Sequence, residues 1–482
     1  MEIVIFTILL ILFTFSGAWA SRKNRNQGDE DYLLAGNDVS PLAAALSAAA
    51  TKYSGYMFIA MMGYIYTFGL SAIWLMCGFL FGDMLAYFFV HEKVRQQTIR
   101  TGSLTFAELV SNWNGQKNNT LRVSIGLISL VFLITYAAAQ FSAGGKALHV
   151  LFGWHQHVGT ILGGILILSY CLYGGLKASI VTDVIQSGVM MVAMFMLLAV
   201  AVYNLGGVGD FIARLAEVSP SYLDLGLERF GSFTALFLFI SGWMFSGIGV
   251  IGQPHVMVRF MALDKNASIA RSGVYYFTWS AVFLSLVMAV GFATRIYITD
   301  VMNFDAELAL PMLTTMLLSS VGVGIMMAGI FAAIMSTTDS QILSCSAVLT
   351  EDLKLGKGRF NRIHFTFAMT TLALLISVFA DESVFTLVIL AWSGLSSAIG
   401  PLAILQALGK KSPQWLSLCM VFGGLGVSIA WRMAGFHTAI YEAMPGMLSG
   451  FVIYYLGYSL VLKRSSDVMF STQQPSVDGE SS

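Results

Sequence analysis

Thirteen stretches of the chain are apolar over roughly the 20 residues that a helix needs to cross a bilayer. They lie at about 2–20, 41–68, 70–91, 122–149, 157–176, 178–204, 232–258, 273–299, 321–347, 364–382, 384–406, 413–434 and 442–462, numbered below as spans 1–13. Spans 10 and 11 are divided by four residues, Ala380-Asp381-Glu382-Ser383. Residues 103–113 read as a short amphipathic helix on the inner surface. Residues 463–482 form a polar tail with too few apolar side chains to fold alone. The pattern predicts an all-α integral membrane protein. Its parts are a first helix and inner loop (1–40), a core (41–406, spans 2–11), two C-terminal helices (407–462) and the tail.

Two spans look interrupted. Span 2 contains Thr51-Lys52-Tyr53-Ser54-Gly55-Tyr56, and span 7 contains Ser241-Gly242, Ser246-Gly247-Ile248-Gly249 and Gly252-Gln253-Pro254. They lie five spans apart, as the first helices of two five-helix repeats would, so spans 2–6 and 7–11 are expected to form a 5+5 inverted repeat. Broken helices expose backbone groups near the bilayer midplane, where ions and solutes bind.

Composition agrees with the pattern: of 482 residues 57% are hydrophobic and 11% charged, less than half the usual charged share of about a quarter. Net charge is zero, and no basic block points to nucleic acid. Alternate loops carry 20 Lys and Arg on one side against five on the other, with Lys52 inside a span. That asymmetry predicts an N-terminus outside and a C-terminus in the cytoplasm. Ala18-Trp19-Ala20 resembles a signal cleavage site, but the acidic start at Glu2 and the basic residues after the stretch make it a retained helix. The four cysteines sit in apolar stretches and read as small packed side chains. His155 and His157 have no third metal ligand nearby and read as surface residues.

Several segments resemble the sodium:solute symporter family, and within it the sodium/proline symporter branch. They are Asp31-Tyr32-Leu33-Leu34-Ala35-Gly36, Tyr173-Gly174-Gly175 with Thr182-Asp183-Val184-Ile185-Gln186, Gly252 to Ala262 (Gly-Gln-Pro-His-Val-Met-Val-Arg-Phe-Met-Ala), and Ala332-Ala333-Ile334-Met335-Ser336-Thr337 continuing to Leu349-Thr350-Glu351-Asp352-Leu353. The resemblance implies a LeuT-like inverted-repeat core, alternating access and location in the plasma (inner) membrane. It also implies a sodium site made by the carbonyls of Ala50, Tyr53 and Ala333 with the hydroxyls of Ser336 and Thr337. The two hydroxyls could instead bond back to their own helix or join neighbouring helices.

Lys52 stands where the proline-symporter branch has an aspartate. It lies about eleven residues from the inner end of its span, roughly 16 Å deep, too deep to reach the interface easily, so it needs a partner. Asp339, at similar depth, is the first expectation and Asp183 the second. Three readings stay open. The ammonium replaces sodium, giving proton-coupled or uncoupled transport. Alternatively, Lys52 only pairs with an acid, and sodium still binds the oxygen cage. In the third, Asp183, Ser336, Asp339 and Ser340 form a second cation site, as in sialic-acid-transporting relatives. Asp83 in span 3 reads as facing the bundle interior, without an assigned role.

A solute should bind beside both breaks, against Ser54, Gly55, Tyr56, Tyr136, Gln140, Trp243, Phe245 and Ser246, with free backbone amides available for a carboxylate. Tyr136 matches a pocket tyrosine of proline symporters, whereas Tyr56, Ser246 and Val250 stand in place of other pocket aromatics. The expectation is a secondary active symporter of a small organic solute, an amino acid of proline's kind, with sodium or a proton as coupling ion. No other cofactor, obligatory protein partner or catalytic residue is expected, and lipid is the surrounding partner. A solute sensor built on a symporter-like bundle is the rival of a different class.

Overall fold

The computed structural model describes residues 1–22, 28–115, 117–171, 175–299, 304–356, 359–379 and 383–471. Lys23, Arg25, Tyr173-Gly174 of one motif, the Ala380-Asp381-Glu382 division and the tail from 472 lie outside them. Each of the thirteen stretches falls on helix. Among the described residues ten helices are long and apolar enough to cross a membrane. Spans 2 and 3 meet at Gly69 (φ 60°, ψ −140°), where the helix Ala60–Phe68 ends and a 3₁₀ turn leads into Ile73–Ala86. The helix of span 5, Gln156–Cys171, has only 16 residues, and that of span 13 runs to Ser471, well beyond the expected end at 462. Among the described residues no β-strand forms. Val39 and Leu263 make one isolated parallel bridge that ties the entry of span 2 to the exit of span 7.

Helix pairing carries the internal symmetry. Span 2 packs on span 8, and its counterpart span 7 packs on span 3. Span 6 packs on span 9 and span 11 on span 4, while the 2–6 contact is matched by the 7–11 contact. Spans 4 and 9, which exchange with each other under that relation, pack together at the centre. This is the pairing of a 5+5 repeat. Span 1 lies outside it against spans 6 and 9, and spans 12 and 13 pack on each other and on span 11.

Small residues let the breaking helices approach. A Cβ on Gly82 of span 3 would run into the carbonyl of Met244, and one on Gly247 into that of Phe79. Without a hydrophobic drive between helices in lipid, such close backbone packing is what holds them. Large side chains such as Phe15, Phe88, Phe195 and Phe237 point outward instead. The cysteine expectation is corrected here, because Cys345 is buried but Cys77 and Cys419 are exposed on the outer surface. The expected inner helix is present as Phe106–Asn112. Thr105 caps it by accepting from the Glu108 amide, and the Glu108 carboxylate accepts from the Leu104 amide, one residue before the cap. That helix is buried rather than lying on the surface, and Thr105 binds Asp352 at the end of span 9 (2.7 Å).

Candidate functional site

The inner half of span 2, Pro41–Lys52, ends at Tyr53 (φ −88°, ψ 72°), and a new helix begins at Gly55 with Ser54 as its cap. The last carbonyls of a helix have no intrahelical amide to bond. Span 9 supplies hydroxyls in their place: Ser336 donates to the Ala50 carbonyl (3.1 Å) and Thr337 to that of Thr51 (2.9 Å). Both hydroxyls also reach the Ala333 carbonyl, at 3.1 and 3.0 Å. Four of the five expected cation ligands therefore meet in one oxygen cluster, with Thr51 added to it. Among the described residues no hydrogen bond ties the Tyr53 carbonyl to the other four. A hard cation takes oxygens at about 2.3–2.6 Å, so its neighbouring ligands stand only slightly farther apart than these do. Both other roles of the hydroxyls are present as well: the bonds to Ala50 and Thr51 join span 9 to span 2, and those to Ala333 return to their own helix.

The expected partner of Lys52 is corrected. Its ammonium lies 2.6 Å from Asp83 of span 3, with both side chains buried, and not against Asp339 or Asp183. Tyr276 of span 8 donates to the same Asp83 oxygen at 2.9 Å. The rings of Tyr53 and Tyr276 flank the ammonium at 4.2 and 4.3 Å. Lys52 therefore points away from the oxygen cluster that Ala50 and Thr51 face.

Asp183, Asp339, Ser336 and Ser340 do come together, around Arg259, which lies one residue past the expected end of span 7 at 258 and so counts among the 20 basic residues of the inner loops. Arg259 is fully buried in the helix Pro254–Met261. Its guanidinium bonds Ser47 (3.2 Å), Ser179 (3.0 Å), Asp183 (3.3 Å), Ser340 and the carbonyl of His255 (2.5 Å). Ser340 and Ser179 donate in turn to Asp339, at 2.9 and 3.2 Å. A guanidinium thus stands where a second coupling ion was considered. Two buried aspartates called for such a charge, and Arg259 is the basic residue of the span-7 motif. Removing it from the inner loops leaves 19 basic residues against five, so the charge asymmetry holds.

Span 7 breaks where expected. Its first half, Phe233–Ile248, tightens into a 3₁₀ turn at Gly249–Gly252, Gln253 is extended, and Pro254 starts the next helix. Span 11 knits the break together. The Gln253 amide donates to the Trp392 carbonyl (3.0 Å), Ser396 to the Gly249 carbonyl (3.2 Å), and the Trp392 indole to the Ser246 carbonyl (2.9 Å).

Between the breaks lies a cavity of about 490 Å³ of atom-free space. Tyr56, Tyr136, Trp243 and Ser246 line it as expected, and so does Lys52. Ser54, Gly55 and Gln140 instead pin span 2 to span 4: Gln140 accepts from the Gly55 amide (2.9 Å) and Tyr136 donates to Ser54 (3.2 Å). Phe245 is not part of the wall. Trp392 and Tyr441 are walls that the sequence reading missed. Tyr441 stacks on Trp243 with centroids 4.7 Å apart and planes 5° apart, yet it comes from the connection between spans 12 and 13, outside the repeat. Only the interrupted motif on span 7, needing cover on its far side, could have hinted at it.

Comparison with known proteins gives the arrangement its setting. Two solved structures share the fold. One, described as the substrate-bound outward-open state of a Na⁺-coupled sialic acid symporter, matches at TM-score 0.79 and 18% identity, over 94% of this chain and 97% of that one. Mhp1, a nucleobase-cation-symport-1 family transporter in a closed conformation with bromovinylhydantoin bound, matches at TM-score 0.61 and 13% identity, over 90% and 95%. Sodium/proline symporters of Staphylococcus aureus strains JH9 and NCTC 8325 are each 30% identical over 485 aligned positions, covering 96% of this chain and 92% of theirs. The Sodium:solute symporter family profile matches residues 32–414, from the first quoted motif to the start of span 12. With paired broken helices, an oxygen cluster between spans 2 and 9 and a midplane cavity beside it, the chain belongs to the sodium:solute symporter family.

Proposed function

We propose that this chain is a secondary active symporter that couples one sodium ion to the movement of a small organic solute, an amino acid of proline's kind, by alternating access. The observation that carries the reading is the meeting of the Ala50, Thr51 and Ala333 carbonyls with the Ser336 and Thr337 hydroxyls beside the cavity. All are neutral oxygen donors, the chemistry of a hard monovalent cation. Pairing of Lys52 with Asp83 keeps its charge out of that cluster, which favours sodium in the cage over the ammonium as its substitute. Arg259 beside Asp183 supports one coupling ion rather than two. The N-terminus lies outside and the C-terminus in the cytoplasm, by the distribution of basic residues.

Two measurements test this. Purified protein is melted in sodium chloride and in choline chloride at matched ionic strength; a ligand of the folded form raises the midpoint. A sodium-specific rise is expected, and its absence up to molar sodium refutes the cage. Uptake of labelled L-proline and L-leucine into sealed vesicles under a sodium gradient then separates a transporter from a sensor, which binds solute without moving it.

A further inference from the structure

The amides expected to receive a solute carboxylate are already engaged. Gly55 N–H donates to Gln140, Tyr56 N–H to the Ser54 hydroxyl, and Met57 N–H to the Ser54 carbonyl (2.9, 3.1 and 2.9 Å). At the other break, Gln253 N–H donates to the Val250 carbonyl at 3.0 Å. What remains in the cavity wall is mostly carbon: Met57, Met61, Met76, Phe79, Leu75 and the aromatic rings. Lys52 is the one charged residue among those lining it. Its ammonium has three donors, and among the described residues the oxygen within hydrogen-bond distance is that of Asp83. Two further polar atoms in the wall, the Ser246 and Tyr56 hydroxyls, are buried and have no hydrogen-bond partner among the described residues.

We propose that Lys52 is a specificity-determining residue that takes the carboxylate of the solute, with Asp83 as the counter-ion that holds the ammonium in place. The substrate class is then a small organic acid with an apolar body, amino acids included, and excludes neutral sugars and amines that lack a carboxylate. A charge-assisted bond to a carboxylate is shorter and stronger than one to a neutral oxygen, and here it forms inside a largely apolar wall. The Ser246 and Tyr56 hydroxyls accept from an α-ammonium where the solute has one. This deepens, and rests on, the reading of the chain as a solute symporter.

The test uses the full chain in sodium, with thermal stabilisation and vesicle uptake as readouts. The probes are L-proline, L-leucine and propionate, their three carboxamides, and D-galactose. At least one acid is expected to bind at least tenfold more tightly than its own amide, and galactose not at all. Replacing both charges in Lys52→Met with Asp83→Leu avoids an unpaired buried charge, and such swaps are often neutral for stability. In that variant the preference for acid over amide falls below threefold. Asp83→Asn, which removes the counter-ion, is the independent check and weakens acid binding more than amide binding. The proposal is overturned if the wild type binds acid and amide alike, or if the double variant keeps the preference. Acid binding unchanged in folded Asp83→Asn overturns it as well. Sodium-driven uptake of galactose or amides alone overturns the role of Lys52 and leaves symport standing. Uptake and stabilisation by no probe overturns both readings.

Discussion

Arg259 offers a quantitative test of how the inner half of the bundle is held. Its guanidinium is buried and bonds Ser47, Ser179, Ser340 and Asp183. Arg259→Gln removes the charge and shortens the side chain, so Asp183 is left without its ion-pair partner while Asp339 carries a second carboxyl close by. Removing one member of a buried ion pair costs about 3–5 kcal/mol, most of it the exposure of the remaining charge to an apolar surrounding. Unfolding entropy of about 2 cal/mol/K per residue gives about 1 kcal/mol/K for a chain of 482 residues. The melting midpoint of the single variant should therefore fall by roughly 3–5 °C. Arg259→Gln combined with Asp183→Asn removes both charges and should recover more than half of that loss. The assay is intrinsic tryptophan fluorescence on heating in detergent at fixed sodium, for the wild type, both single variants and the double variant, read as a double-mutant cycle. If Arg259→Gln melts within 1 °C of the wild type, or if the double variant falls by the sum of the singles, the guanidinium is not what balances these acids.

Ser336→Ala and Thr337→Val each remove one hydroxyl of the cage. Each should weaken sodium-dependent stabilisation about fivefold, for about 1 kcal/mol per hydrogen-bonding group, read from midpoints across a sodium titration. Gly82→Val drives a side chain into the Met244 carbonyl and should cost at least 1–3 kcal/mol; Gly188→Ala, with open space around it, should melt with the wild type. Glu307 accepts from the amides of Val384 and Phe385 at the start of span 11 (3.3 and 3.0 Å) and pairs with Lys146 (2.7 Å). Phe385 in turn packs over Tyr56 with centroids 5.6 Å apart. Glu307→Gln should loosen that cover, so a cysteine placed at Met57 should react severalfold faster with an external thiol reagent; an unchanged rate refutes the link.

Much of the site was legible because breaks in membrane helices leave marks in sequence. Ser54-Gly55 and Gln253-Pro254 mark the two interruptions, and Ser336-Thr337 their hydroxyl partners. The partner of Lys52 was not legible. Counting residues inward gives depth, about 1.5 Å per residue, and depth does not say which side of the helix a side chain leaves from. Successive residues diverge by about 100° at 3.6 residues per turn, so Thr51 meets Asp183 and Ser340 while Lys52 turns to Asp83. Arg259 read as a loop charge because the apolar run stops just before it, although the helix carries it back among acids and hydroxyls. Tyr441 was out of reach for another reason: its segment is neither apolar enough to be a span nor inside the repeat.

The stacking of Tyr441 on Trp243 brings a piece of chain from outside the repeat into the wall of the cavity. The oxygen cluster is built from spans 2 and 9, within the pseudo-symmetric bundle. Part of the cavity wall comes from a short connector beyond that bundle, joined to it by ring stacking. Exchanging residues 434–442 between relatives is thus expected to reshape one side of the cavity while leaving the oxygen cluster of spans 2 and 9 as it is, so the hairpin appended to the repeat is a surface on which the cavity's shape can vary.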